Sequence, residues 1–227
     1  MRGLFTRVAR RYDRLNRILS LGLDVLWRRC ALAALARESP APNTILDIAT
    51  GTADFAIAAA RRFPDARVTG IDLTPAMLEL GRQKVSAAGL AKRIDLVEGS
   101  AHALPCPNGT ANAVLCAFGF RNFPDRGAAL REAARALADG GHLLVLELFR
   151  PRFRFLGWPA AAWLKCAATL FAGGAKDEYS YLRESIGDSC TTDEFAQAAR
   201  SAGFSPVRRF FLIPSCTCLL FRKNMVE

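Results

Sequence analysis

Leu4, Val8, Tyr12, Leu15 and Leu19 recur at intervals of three and four with arginines between them, which predicts an amphipathic helix. Leu21-Gly22-Leu23 interrupts it, and Asp24 is placed to cap a second helix running through Trp27 toward Leu35. Pro40-Ala41-Pro42-Asn43 then punctuates the chain, because proline cannot continue a helix and biases its predecessor to extended geometry. From residue 44 short apolar runs alternate with helical periods. Residues 44–49 (TILDIA) read as a strand ending in the turn Thr50-Gly51-Thr52-Ala53-Asp54, and Phe55, Ala59 and Phe63 mark one face of the helix that follows. Residues 67–72 (RVTGID) form a second strand, 75–88 a helix with Pro75 in its first turn, and 93–98 a third strand. A fourth strand spans 111–118, a helix 128–137 is closed by Asp139-Gly140-Gly141, and a fifth strand spans 142–148. Strands separated by helices predict βαβ units in a parallel, doubly wound sheet of the α/β class. The end differs: residues 191–202 read as a helix closed by Gly203, followed by two strands, 207–214 and 216–222, separated by Ser215 as a hairpin.

Residues 155–174 (FLGWPAAAWLKCAATLFAGG) are long and apolar enough to raise a bilayer span of about 20 residues. Lys165 at the centre would cost roughly 2.5–3.5 kcal/mol there, and Gly157 and Pro159 weaken the first turn. A helix covering the sheet or a ligand cleft, an insertion at about 152–176, is the expectation.

Composition narrows the class. At 227 residues and 51% hydrophobic, the chain can bury a core without disulfide or metal staples, and disorder is excluded. Seven cysteines form no C-x-x-C pair and only two histidines are present, so no metal site is expected. Irregular cysteine spacing and a first stretch that lacks an apolar signal core point to reduced thiols and the cytoplasm. Net charge is +10, and residues 1–37 hold nine arginines against Asp13 and Asp24. That surplus reads as a solvated helix face, an anionic membrane surface or nucleic acid; the scarcity of interleaved aromatics argues against a single-strand stacking platform.

In a doubly wound sheet, ligands bind at the carboxyl ends of the strands. The first end lacks G-x-G-x-x-G, so a dinucleotide cradle is not supported; Gly51 permits close backbone approach and the Thr52 hydroxyl suits a polar tail. Asp72 closes the second strand, where a carboxylate accepts both hydroxyls of a ribose or caps the next helix. At the third end, backbone amides and the hydroxyl of Ser100, with Ala101, are within reach of an adenine. After the fourth, Gly119 signals a turn that sets Arg121 and Asn122 beside the ligand edge, as a functional or a structural pair.

Asp-x-Ala-x-Gly-Thr-x-Asp at the first strand end and Asp72 at the second resemble class I S-adenosylmethionine-dependent methyltransferases. Arg11-Tyr12-Asp13, Leu26-Trp27-Arg28-Arg29, Phe118-Gly119-Phe120-Arg121-Asn122, the run from Gly140 to Glu147 and Tyr179-Ser180-Tyr181-Leu182-Arg183-Glu184-Ser185-Ile186 narrow the match. Together they resemble the ubiquinone/menaquinone biosynthesis C-methyltransferase family, from Leu4 to about Lys223. The resemblance implies a Rossmann-like, seven-stranded sheet with the last strand antiparallel. Residues 1–42 become an N-terminal helical extension facing substrate and membrane, and 43–227 the methyltransferase domain. It implies S-adenosylmethionine as cofactor and methyl transfer to a ring carbon of a polyprenylated quinol, benzoquinol or naphthoquinol. Gly51, Thr52, Asp72, Ser100, Ala101 and Ala117 fall on the cofactor side, and Tyr12, Arg121 and Asn122 on the substrate side, as catalytic candidates. A peripheral contact with an anionic membrane on its inner face follows from the acceptor; nucleic acid is not expected, and an oligomer is left open.

The sequence departs from the family pattern at four places. The usual G-G-T-G-D loop is here Thr50-Gly51-Thr52-Ala53-Asp54, Ser100 stands for the usual Asp or Asn, and Ala117 for Ser. The alternatives are a methyltransferase for another small molecule or RNA, and a non-catalytic relative that has lost cofactor affinity.

Overall fold

A computed structural model describes residues 13, 16, 17, 20–150, 185, 187–212 and 216–225. Helix α1 (Leu23–Glu38) is followed by β1 (Thr44–Ile48), α2 (Asp54–Arg62), β2 (Arg67–Asp72), α3 (Pro75–Ala87), β3 (Ile94–Glu98) and β4 (Ala111–Ala117). A 3-10 turn (Phe120–Asn122) leads to α4 (Arg126–Ala136), β5 (Leu137–Leu148), α5 (Thr192–Ser201), β6 (Phe204–Leu212) and β7 (Cys216–Lys223). The strands form one sheet in the order β3-β2-β1-β4-β5-β7-β6. The first five pair in parallel and β7 runs antiparallel to both β5 and β6, so the seven-stranded Rossmann-like α/β expectation holds.

Successive side chains of a strand point to opposite faces, and the core divides accordingly. Ile45, Ala113, Leu115, Leu144 and Leu146 join α1, α2 and α3 on one face; Leu46, Val114, Cys116, Leu143 and Val145 join α4 and α5 on the other. Trp27, Ala31, Leu32 and Leu35 belong to the first cluster, so α1 shares the core of the sheet rather than standing apart from it.

Several boundaries differ from expectation for local reasons. Asp24 is not the cap of α1: Gly22, at φ 76°, precedes the helix. The Asp24 carboxylate instead takes Arg28 Nη1 at 2.5 Å and the Ser20 hydroxyl at 3.0 Å, all within the buried first turns. Helix α4 begins at Arg126 because Asp125 accepts from the Ala128 amide at 2.8 Å. It ends at Ala136, so Asp139-Gly140-Gly141 does not close it but forms the irregular start of β5. Gly140 has φ 73°, and a Cβ on Gly141 would sit 2.8 Å from the Ala138 carbonyl. These glycines serve a bulge. Gly203, at φ 89°, follows the end of α5 as expected, and at its start Thr191 and Glu194 form a reciprocal capping box. The covering segment 152–176, Tyr12 and Ser215 lie outside the described residues.

Six described cysteines are free thiols. Burial pushes the Cys116, Cys216 and Cys218 thiols upward, Cys218 to about 12, which leaves them protonated at neutral pH. Among the described residues, no helix is long and apolar enough to cross a membrane.

Candidate active site

The strand order reverses between β1 and β4, and a cleft of about 120 Å³ opens there at the carboxyl ends of the strands. Ala49 and Gly51 border it after β1; Ile71, Asp72, Leu73 and Met77 after β2; Gly99 and Ala101 after β3; Ala117, Phe118, Gly119, Asn122 and Phe123 after β4. Of the cofactor residues expected from sequence, Gly51, Asp72, Ala101 and Ala117 therefore meet in one cleft, and Asn122 joins them.

Asp72 anchors this cleft. Its Oδ2 accepts the Gly51 amide at 2.9 Å and its Oδ1 the Thr74 amide at 2.9 Å. The carboxylate thus ties the β1 turn to Thr74, the residue before α3, and does not cap the helix itself. It has about four acceptor sites, so two remain for ribose hydroxyls. Gly51 adopts φ 56°, and a Cβ built on it meets no atom within 4 Å: the glycine borders open space that a ligand can fill. Gly119 is needed for a different reason, since a Cβ there would lie 2.8 Å from both Ala49 Cβ and Cys116 Sγ.

Ala49 and Phe118, which border the cleft, and the buried Ala53 of the β1 turn carry left-handed backbone, at φ 55°, 59° and 67°. Ala53 is one of the two positions where the resembling family has glycine. The other, Thr50, has no positive φ, and its hydroxyl donates to Asp47 Oδ2 at 2.6 Å.

A second, smaller cavity of about 30 Å³ lies under the turn, bordered by Asp13, Arg28, Asp47, Thr52, Asp54 and Phe118 among others. Thr52 is in this wall rather than in the main cleft. Its hydroxyl donates to Asp13 Oδ1 at 2.6 Å. Lys84 Nζ donates to Asp13 Oδ2 at 2.9 Å, to Thr52 Oγ1 at 3.0 Å and to Asp54. Nothing in the sequence pattern pointed to Lys84, because its partners lie up to 71 residues away.

Asp47 is 1% exposed, and burial pushes its carboxyl up to about 7 against the opposing Thr50 hydroxyl and Arg28 charge. The folded state then holds a proton that the unfolded chain releases near its ordinary value of 3.8, so stability falls as pH rises from about 4 to about 7. Asp47→Asn removes this dependence. Relative to the parent, the variant is expected to gain roughly 2–3 kcal/mol between pH 5 and pH 8 in urea denaturation. An equal difference at both pH values would refute it.

Arg121 lies behind the cleft wall. Its side chain is 7% exposed, its Nη1 donates to Glu147 Oε1 at 2.5 Å and to the Phe118 carbonyl at 3.0 Å, and its amide donates to Glu147 Oε2 at 3.2 Å. Glu147 also accepts the Leu148 amide at 2.8 Å. In the sequence Glu147 closes the motif that starts at Gly140, and a carboxylate within an otherwise apolar strand is the signal that marks it. The Ser100 hydroxyl accepts the His102 amide at 3.1 Å, and Ser100 does not border the cleft.

The sheet order, the glycine turn after β1 and the carboxylate ending β2 define a class I S-adenosylmethionine-dependent methyltransferase. The chain belongs to the ubiE/COQ5 methyltransferase family, whose sequence profile matches residues 1–216. It is 42% identical over 205 residues to a demethylmenaquinone methyltransferase of Deinococcus radiodurans, covering 88% of this chain and 83% of that protein. It is 38% identical to a ubiquinone/menaquinone biosynthesis C-methyltransferase of Geotalea daltonii over 205 residues, 88% of this chain and 86% of that protein. The fold matches a SAM-dependent methyltransferase of Aquifex aeolicus at a TM-score of 0.64, with 16% identity over 85% of this chain and 88% of that one.

Proposed function

We propose that the protein methylates a ring carbon of a polyprenylated quinol, with demethylmenaquinol as first acceptor. The observation that carries this reading is the turn after β4, which sets Asn122 and Phe123 in the same cleft as Asp72. The names borne by its relatives agree with it. The cleft fits the cofactor: an acceptor carboxylate at Asp72, open space at Gly51, and apolar walls from Ile71, Leu73, Met77 and Ala101. Bound there, S-adenosylmethionine would supply an electrophilic sulfonium methyl for a ring carbon. A ring carbon becomes nucleophilic once a neighbouring hydroxyl loses its proton. Asn122, which borders the cleft, is the donor this reading assigns to that phenolate oxygen, with the Arg121 guanidinium, fixed by Glu147, behind it. A water at this turn takes the ring proton after methylation. Positioning the carbon in line with the methyl supplies much of the roughly 7–11 kcal/mol available from orientation.

The acceptor resides in a bilayer, so the protein meets it at a membrane surface. Leu26, Arg29 and Arg37 are exposed on one side of α1, as an interfacial helix requires, and the chain carries +10 overall. The test is transfer of a labelled methyl to demethylmenaquinol, or to the methoxy-benzoquinol precursor of ubiquinol, in anionic and in neutral vesicles. Methylated demethylmenaquinol is expected, faster on anionic vesicles and slower as salt rises. No product from either quinol by protein that binds the cofactor would overturn the substrate reading. Equal rates on both vesicles would remove the electrostatic contact.

A further inference from the structure

Among the described residues, Arg28 is a cation bordering the small cavity under the Gly51 turn whose donors the surrounding pairs do not exhaust. Lys84 reaches in from α3 and gives its three N–H donors to Asp13, Thr52 and Asp54, which is all an ammonium has. Arg28, from α1, is different. Its side chain is 10% exposed, and its Nη1 binds the Asp24 carboxylate at 2.5 Å and the Asp24 carbonyl at 3.2 Å. The guanidinium lies 5.5 Å from the centre of the Phe118 ring. Its Nε is buried and has no hydrogen-bond partner among the described residues. A buried donor left unmatched is costly, the more so on a charged group. Pairing with Asp24 explains why the charge is tolerated; it does not explain why the guanidinium borders this cavity.

The cavity adjoins the main cleft, since Ala49, Gly51, Ala117 and Phe118 border both. A cofactor with its ribose at Asp72 and its sulfur near Gly51 extends its amino-acid end this way. That end carries an ammonium beside the sulfonium, and a single carboxylate. Asp13 and Asp54 on this wall offer carboxylate oxygens to the two positive groups. The carboxylate needs a cation, and Lys84 is already committed. We propose that Arg28 receives the α-carboxylate of the methionine portion of S-adenosylmethionine. Helix α1, expected from sequence to serve substrate and membrane alone, would then close the far end of the cofactor site.

The inference rests on the cofactor reading, and two ligands separate the two. S-Adenosylhomocysteine keeps the amino-acid tail; 5′-methylthioadenosine has the same adenine, ribose and sulfur without it. Calorimetric titration of the full chain gives both dissociation constants, and their ratio does not depend on the folded fraction of a preparation. Arg28→Gln is expected to weaken S-adenosylhomocysteine at least about tenfold, as loss of a charge-assisted bond does, and 5′-methylthioadenosine less than twofold. Because this variant leaves Asp24 buried without its partner, Asp24→Asn/Arg28→Gln repeats the test without the orphaned charge and should show the same selective loss. Asp24→Asn alone keeps the guanidinium and should keep the parental ratio. Equal weakening of both ligands by Arg28→Gln, or the selective loss appearing in Asp24→Asn alone, would make Arg28 a counter-ion and overturn the proposal. Failure of the parent to bind either nucleoside would instead overturn the cofactor reading beneath it.

Discussion

Asp72→Ala is expected to raise the dissociation constant for S-adenosylmethionine by one to three orders of magnitude. Hydrogen bonds to a charged group are worth about 1.5–3 kcal/mol each, and a ribose offers two hydroxyls to this carboxylate. The same substitution also releases the Gly51 and Thr74 amides, which Asp72 now receives at 2.9 Å each. Part of the loss will therefore pass through the turn. Asp72→Asn divides the two contributions. An amide oxygen still accepts from one backbone N–H, so the turn is largely kept, while the charge that strengthens both ribose bonds is gone. The expected order of affinity is parent, then Asn, then Ala, with the melting temperature of the free Asn variant close to the parent's. If affinity is unchanged in a folded Asp72→Ala protein, the carboxylate is only a tie between the β1 turn and α3.

The second large effect is expected after β4, in turnover rather than binding. Asn122→Ala should bind S-adenosylmethionine within about threefold of the parent and lose roughly 10²-fold in rate, equivalent to about 2.7 kcal/mol of transition-state stabilisation. Asn122 borders the cleft and Arg121 does not, so their variants should part company in stability. Arg121→Lys keeps a cation for Glu147 but loses the planar fork that reaches Glu147 and the Phe118 carbonyl together. Its rate should fall comparably and its melting temperature as well. Arg121→Met should fold poorly, since stranding a buried carboxylate costs about 3–5 kcal/mol. Rates within twofold of the parent in a stable Asn122→Ala would place the phenolate partner elsewhere, with Tyr12 next to be tested.

What the sequence made legible follows from the range of the forces involved. β1 and β4 are buried on both faces, so their apolar runs stood out, and the carboxylate of Asp72 was readable as a ligand group from its place at the end of a strand. The start of α1 differs because an aspartate after a Leu-Gly-Leu break looks like a cap, whereas Asp24 turns to Arg28 one helical turn on. The glycines after α4 looked like a helix stop, yet they shape the pairing of β5 with β4. The pairs that build the site were not legible at all. Lys84 with Asp13 and Arg121 with Glu147 are separated by 71 and 26 residues, and only the packing of α3 and β5 brings them together. Thr52 was placed in the site on its residue type, but the direction of its hydroxyl is set by Asp13 and Lys84.

The left-handed backbone at Ala49, Ala53 and Phe118 bears on how freely this chain can drift over generations. Each such residue costs of order 1–3 kcal/mol where glycine would cost little, and a domain is stable by only about 5–15 kcal/mol in total. An average substitution removes about 1 kcal/mol. Three strained positions after β1 and β4 therefore use up margin that would otherwise absorb several neutral changes in the core or on the surface. Mutational tolerance far from the cleft is narrowed by the conformation of the cleft itself.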